Sequence, residues 1–154
     1  MSHVAKVDVK IKNLDILKKA CEKIGLQFKE GQSSYKWFGT WVNDYHGSNA
    51  AYKHGIDPKN YGKCDHAVGV TGNSHAYEIG VVKNGDHYDL IYDFYGGQGA
   101  AIEKIAGREC SNLVNEYSEN VAIAAAETYA SNNGWTHSTT KNSDGETVIT
   151  LRKY

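Results

Sequence analysis

Cys64 and His66, with Asp65 between them and His46 and His54 upstream, are the residues of this 154-residue chain whose types and spacing come nearest to chemistry. Thiolate and imidazole both ligate zinc, which takes four nitrogen or sulfur donors. The intervals His-x7-His and Cys-x-His fit no closed structural zinc pattern, so a small buried thiol and two loop histidines are the preferred reading. Neither metal nor cofactor is expected. Cys64 and His66, with Asp65 or Asp93, could also serve nucleophilic or acid–base catalysis. A reactive cysteine needs a base or a helix N-terminus that lowers its pKa, and Cys64 lies in a strand pattern without a nucleophile elbow. Gly96-Gly97-Gln98-Gly99 occupies the place of a phosphate cradle, after a strand and before a helix. It lacks both the Walker lysine and the Gly-x-Gly-x-x-Gly spacing, so it reads as a turn closing a hairpin.

The richest source of contact-making side chains is the stretch 31–63, with Trp37, Phe38, Trp41, Tyr45, Tyr52 and Tyr61 among many Gly, Asn and Ser residues. Flat apolar rings with polar edges suit a binding surface. The same rings could instead close over an open sheet face. Trp37, Trp41, Tyr45, His46, Tyr52 and His54, together with His66, are therefore the candidate ligand- or partner-binding residues. A long irregular stretch in a compact domain is usually functional or mobile, and so many aromatics favour order.

The elements that must position these residues follow from periodicity. Lys6 to Lys12 alternates apolar and charged residues, the pattern of a half-buried strand. Asn13 can cap a helix over about 14–24, with Leu14, Leu17, Cys21 and Ile24 on one stripe and Gly25 as its stop. Leu26 to Lys29 and Tyr35 to Val42 are short strand candidates. From Cys64 a strand is expected to carry Cys64, His66, Val68 and Val70 on one face. Tyr77–Lys83 and Asp86–Tyr95 flank Asn84-Gly85, a strong hairpin signal. A turn at 84–85 would set Val81 opposite Tyr88, Ile79 opposite Leu90 and Tyr77 opposite Tyr92. A short helix around Ile102 and Ile105 breaks near Gly107. Ser111 or Asn112 can cap a long helix over about 111–131, with Val121, Ala124, Ala125, Thr128 and Tyr129 continuing the stripe of Leu113, Val114 and Tyr117. A last hairpin, with Ser143-Asp144-Gly145 as a three-residue loop, brings Trp135, His137, Ile149 and Leu151 to one face.

The expected fold is thus α+β, a mainly antiparallel sheet with helices packed on one face, in a single domain 1–154 with an aromatic insertion at about 31–63. Seventeen basic against eighteen acidic side chains give a net charge of −1, which argues against nucleic acid or anionic membranes as partners. Three widely spaced cysteines form no disulfide framework. With no secretory pattern and no apolar run long enough for a bilayer, a cytoplasmic chain is expected.

Met1-Ser2-His3 running into a lysine-rich alternating strand and an Asn-Leu helix resembles the hypothetical chloroplast reading frame 35 family, also called domain of unknown function 1257. Asp65 to Val70, Tyr77-Glu78-Ile79-Gly80 and Tyr88-Asp89-Leu90-Ile91-Tyr92-Asp93 are similar to its central strands. Tyr117, Gly134-Trp135 and the closing Asp144-Gly145 hairpin ending in Leu151-Arg152 also fit. The resemblance covers residues 1 to 29 and 64 to 154 and departs from the family at 31 to 63. It implies a cyanobacterial, plastid or phage setting, with a bacterial or host cytosol or the stroma as address. It brings no catalytic residue, because the family has no established activity.

On these grounds the chain is expected to be a non-enzymatic binding or adaptor module that takes a protein partner through its aromatic loop. The alternatives are capture of a small, nucleotide-like molecule between that loop and the sheet, or an enzyme using His66 and Asp93. The alanine-rich helix and an unpaired edge strand would also suit a homodimer.

Overall fold

The computed structural model describes residues 4–39 and 60–153. A five-stranded antiparallel sheet runs in the order β1-β5-β4-β3-β2, and a separate two-stranded sheet pairs β6 with β7. The strands are β1 (Ala5–Lys6), β2 (Leu26–Lys29), β3 (His66–Val70), β4 (Ile79–Asn84), β5 (His87–Tyr92), β6 (Thr136–Lys141) and β7 (Thr147–Arg152). Among the described residues the α-helices seen from end to end are α1 (Leu14–Ile24), α2 (Gly96–Ala106) and α3 (Ser111–Asn132). This is the α+β, antiparallel architecture that the alternation of the sequence predicts.

Asn13 caps α1 as expected, its Oδ1 accepting from the Ile16 N–H at 3.1 Å, and Gly25 ends it in the left-handed region at φ 91°. Leu17, Ala20 and Cys21 of α1 then pack with Ile102 and Ala106 of α2 and Leu113 and Tyr117 of α3 on one face of the sheet. The Tyr117 hydroxyl accepts from the Lys12 and Asn13 N–H groups, pinning α3 to the start of α1. Tyr77, Ile79, Val81, Tyr88, Leu90 and Tyr92 all meet this core, as the alternation requires.

Their register differs from the expectation. Val81 faces Leu90 and Asn84 faces His87, so the turn residues are Gly85 and Asp86 rather than Asn84 and Gly85. Gly85 has φ 65° while Asp86 does not have positive φ, the type II′ pattern with glycine first. The slip is two residues, an even number, and therefore leaves every side chain on its expected face.

Four further corrections have local causes. The strand expected over 6–12 is broken. Val7 donates its N–H to Leu90 O, and the next contact is Ile11 with Tyr88, so four residues span what β5 covers in two. Tyr35 to Gly39 is not a strand: Tyr35 donates its N–H to Gly62 O, and Phe38 and Gly39 are helical. Neither Ser111 nor Asn112 caps α3; Cys110 stands at the N-cap position in the left-handed region at φ 59°, without a side-chain capping bond, and Asn112 instead donates its amide to Ile105 O. Finally, Val121 and Tyr129 are exposed, because α3 outruns the sheet and its second half packs on β6 and β7. The β6–β7 hairpin itself has the expected three-residue loop. Asn142 donates to Glu146 O, Gly145 takes φ 80°, and His137 faces Leu151 while Thr139 faces Ile149.

Candidate functional site

The sheet face away from the helices is covered by both ends of the insertion. Tyr35, Trp37 and Tyr61 form a second core with Val4, Ala67 and Ile91. Trp37 and Tyr61 meet edge to face, with centroids 5.4 Å apart. Two glycines make the fit possible. A Cβ on Gly80 would lie 2.5 Å from the Tyr35 ring, and one on Gly62, which has φ 80°, would lie 2.6 Å from the Trp37 indole nitrogen. At 1% exposure Trp37 is a core side chain. Trp41, Tyr45, His46, Tyr52 and His54 lie outside the described residues.

Two buried carboxylates hold the entrance of the insertion to the sheet. Glu78 accepts from Lys29 Nζ at 2.7 Å, from Gln32 Nε2 at 3.0 Å and from the Lys36 N–H at 3.0 Å. Asp93 accepts from the N–H groups of Phe38 and Tyr95, each at 3.0 Å. Carboxylates filled in this way by donors are held in place by charge-assisted bonds. Glu78 alternates with the core residues Tyr77 and Ile79, and nothing in the sequence reveals these partners.

No hydrogen bond or ion pair joins His66 to Asp93 among the described residues. His66 lies on the helix-facing side of β3 between Phe28 and Tyr88, its Nδ1 accepting from the Gly31 N–H at 2.9 Å. Asp93 follows β5 and accepts from the Phe38 and Tyr95 N–H groups. Cys64 is also parted from His66. The N–H of Asp65 bonds to Val81 O while His66 also faces Val81, the two-against-one count of a β-bulge. The extra residue turns Cys64 to the second core, where its thiol donates to Gln32 O at 3.1 Å. Burial, reinforced by Glu78 and Asp65, pushes that thiol up to about 12. It is a poor nucleophile at neutral pH. Among the described residues no group of three or more His, Cys, Asp or Glu side chains is placed to hold a metal ion. The Gly96-Gly97-Gln98-Gly99 run forms the first turn of α2, not a free turn, and Gly99 is packed so closely that a Cβ would meet the Phe94 backbone at 2.2 Å.

A cleft of about 450 Å³ opens on the outer sheet face beside the returning end of the insertion. Val82, Ile91 and Cys64 give it apolar surface. Lys6 enters from the edge strand, Lys63 from the insertion and Lys83 from the end of β4. None of the three ammonium groups has a hydrogen-bond or ion-pair partner among the described residues. Asn60 and Asn84 add amides, and Asp65 and Asp89 add carboxylates. Both acids bond within the cleft wall: Asp65 accepts from the Lys83 N–H, and Asp89 from Asn84 Nδ2 with His87 Nε2 also 3.2 Å away. Three lysines against two carboxylates leave the cleft a net positive charge over an apolar floor, at a volume typical of small-molecule sites.

Sequence reasoning missed this site because its residues come from three distant segments with no shared spacing. Lys6 reads there as the solvated face of a strand, and Lys83 as the shoulder of a turn. None of the sequence-predicted binding residues lines this cleft among the described residues. No helix among the described residues is long and apolar enough to cross a membrane. No family model, no curated protein and no solved structure matches the chain.

Proposed function

We propose that this chain is a binding protein whose ligand is a small molecule with a phosphate or carboxylate group and an apolar portion, such as a nucleotide. The observation that carries this reading is the trio Lys6, Lys63 and Lys83, uncommitted among the described residues, around a cleft floored by Val82 and Ile91. The anion neutralises the lysines, the apolar part covers Val82 and Ile91, and the Asn60 and Asn84 amides fix its orientation. Site-directing polar groups over an apolar wall are the usual composition of such pockets.

This places recognition beside the aromatic insertion instead of on the ring of Trp37, which the second core uses. We also propose kinship with the chloroplast reading frame 35 family, supported by the order of the Asp65–Val70, Tyr77–Gly80 and Tyr88–Asp93 motifs along the chain.

A melting-temperature screen against nucleotides, sugar phosphates and dicarboxylates tests the reading, since a ligand that binds only the native state stabilises it. At least one compound is expected to raise Tm, and the combined Lys63→Ala and Lys83→Ala changes, both at exposed positions, are expected to abolish that rise. A panel with no effect, or a rise that survives in the double variant, overturns it.

A further inference from the structure

The turn that joins β4 to β5 brings together a side-chain amide and a backbone nitrogen able to react with one another. Asn-Gly occurs twice in the chain, at Asn84-Gly85 and at Asn133-Gly134. In such a pair the glycine nitrogen can attack the amide carbon of the asparagine, because no Cβ shields it. Both pairs are exposed, so access to water does not distinguish them. Their nitrogens differ. Gly134 donates its N–H to Ser131 O at 3.3 Å, and Asn133 Nδ2 ties that side chain to Tyr129 O at 2.8 Å. The N–H of Gly85 makes no hydrogen bond among the described residues. Gly85 stands at φ 65° in a two-residue turn, and a Cβ built on it would meet nothing within 4 Å. Nothing therefore crowds a change in its dihedral angles, which glycine makes at little cost.

We infer that Asn84 is a site of spontaneous intramolecular modification, and that its product cancels the charge of the cleft it lines. The Gly85 nitrogen forms a bond to Asn84 Cγ and gives up its proton, while the bond from Cγ to Nδ2 breaks and ammonia leaves. Water then opens the cyclic imide at either carbonyl, leaving an aspartate or an isoaspartate at that position. The charge consequence rests on the anion-binding reading proposed above. Asn84 Nδ2 donates to Asp89 Oδ2 at 3.0 Å, and both residues line the cleft. After the reaction a carboxylate faces a carboxylate there, and like charges oppose one another. The new acid joins Asp65 and Asp89 against Lys6, Lys63 and Lys83, so the excess positive charge that would hold an anion is gone. An isoaspartate also lengthens the backbone by a methylene, which disturbs the pairing of Asn84 with His87 that closes the hairpin.

The test is a peptide map of the folded chain held in mildly alkaline buffer, with mass spectrometry reading ammonia loss and isoaspartate at each pair. Asn84 is expected to convert while Asn133 stays intact. In concentrated urea, where no fold distinguishes them, the two are expected to convert at similar rates. Equal conversion of both pairs in the folded chain overturns the inference. So does an Asn84 that stays intact in the folded chain but converts in urea. The charge consequence is read separately, by titrating adenosine 5′-monophosphate into the native chain, Asn84→Ala and Asn84→Asp. Asn84→Ala loses the amide without gaining a charge, so Asn84→Asp should bind several-fold more weakly than Asn84→Ala. Equal binding by those two variants overturns the switch. A native chain that takes no nucleotide contradicts the binding reading and the switch with it, while the peptide map decides the modification on its own.

Discussion

Glu78 and Lys36 hold one another twice: Glu78 donates its N–H to Lys36 O at 2.9 Å, and its Oε1 accepts from the Lys36 N–H at 3.0 Å. One residue of the sheet thereby fixes both the backbone and the direction of the insertion's first segment. The adjacent bond from Lys29 Nζ at 2.7 Å neutralises the buried carboxylate. Glu78 is 2% exposed, so its charge is tolerable only while these donors remain.

Lys29→Ala should therefore cost about 2 kcal/mol, more than an ordinary surface ion pair, because it strands a buried carboxylate. Glu78→Gln keeps an acceptor for the Lys36 N–H and removes the charge, so combining it with Lys29→Ala should recover part of the loss. Urea unfolding of the three variants measures this, and equal losses for Lys29→Ala with and without Glu78→Gln would contradict it.

Gly80→Ala should destabilise by about 1–3 kcal/mol through overpacking, since the new methyl meets the Tyr35 ring. Tyr35→Leu, which removes the ring, should make Gly80→Ala nearly neutral. The coupling between the two substitutions in a double-mutant cycle is the measurement.

Trp37→Ala should cost about 3–5 kcal/mol of stability, the loss expected for emptying a buried aromatic site. A reduced partner or ligand affinity in that variant would then report unfolding of the second core. Thermal unfolding followed by circular dichroism separates the two effects.

Alkaline pH should weaken the fold. Burial pushes the Cys21 and Cys64 thiols from an ordinary 9.0 to about 12, and that of Cys110 higher still. Above the unfolded thiol value the unfolded chain releases protons that the native chain keeps. Stability is thus full below about pH 9 and declines as pH rises toward the folded values. The urea midpoint should fall between pH 8 and pH 10, and Cys21→Ala should flatten the slope whatever it does to the midpoint at pH 7.

Much of the fold was legible because the signals were local. Asn13 and Gly25 bound α1, and the alternation of Tyr77 to Tyr92 assigns each side chain its face even though the turn is displaced by two residues. The three-residue loop at Ser143-Asp144-Gly145 followed from wanting one apolar face. What escaped was set by long-range contacts. The bulge at Asp65 depends on the Val81 carbonyl and inverts the side of Cys64, which separates it from His66. Val121 and Tyr129 match the core stripe by spacing, yet the sheet ends before it reaches them. The lysines of the cleft meet only once the insertion has returned along the outer face.

Backbone amide NMR during titration with inorganic phosphate and with a nucleoside 5′-monophosphate tests the cleft most directly. The amides of Lys63, Cys64, Val82 and Ile91 should shift together and saturably with the nucleotide, and more weakly with phosphate. No saturable shift at millimolar nucleotide, or shifts gathered at Gly96 to Gly99 and the start of α2 instead, would contradict it.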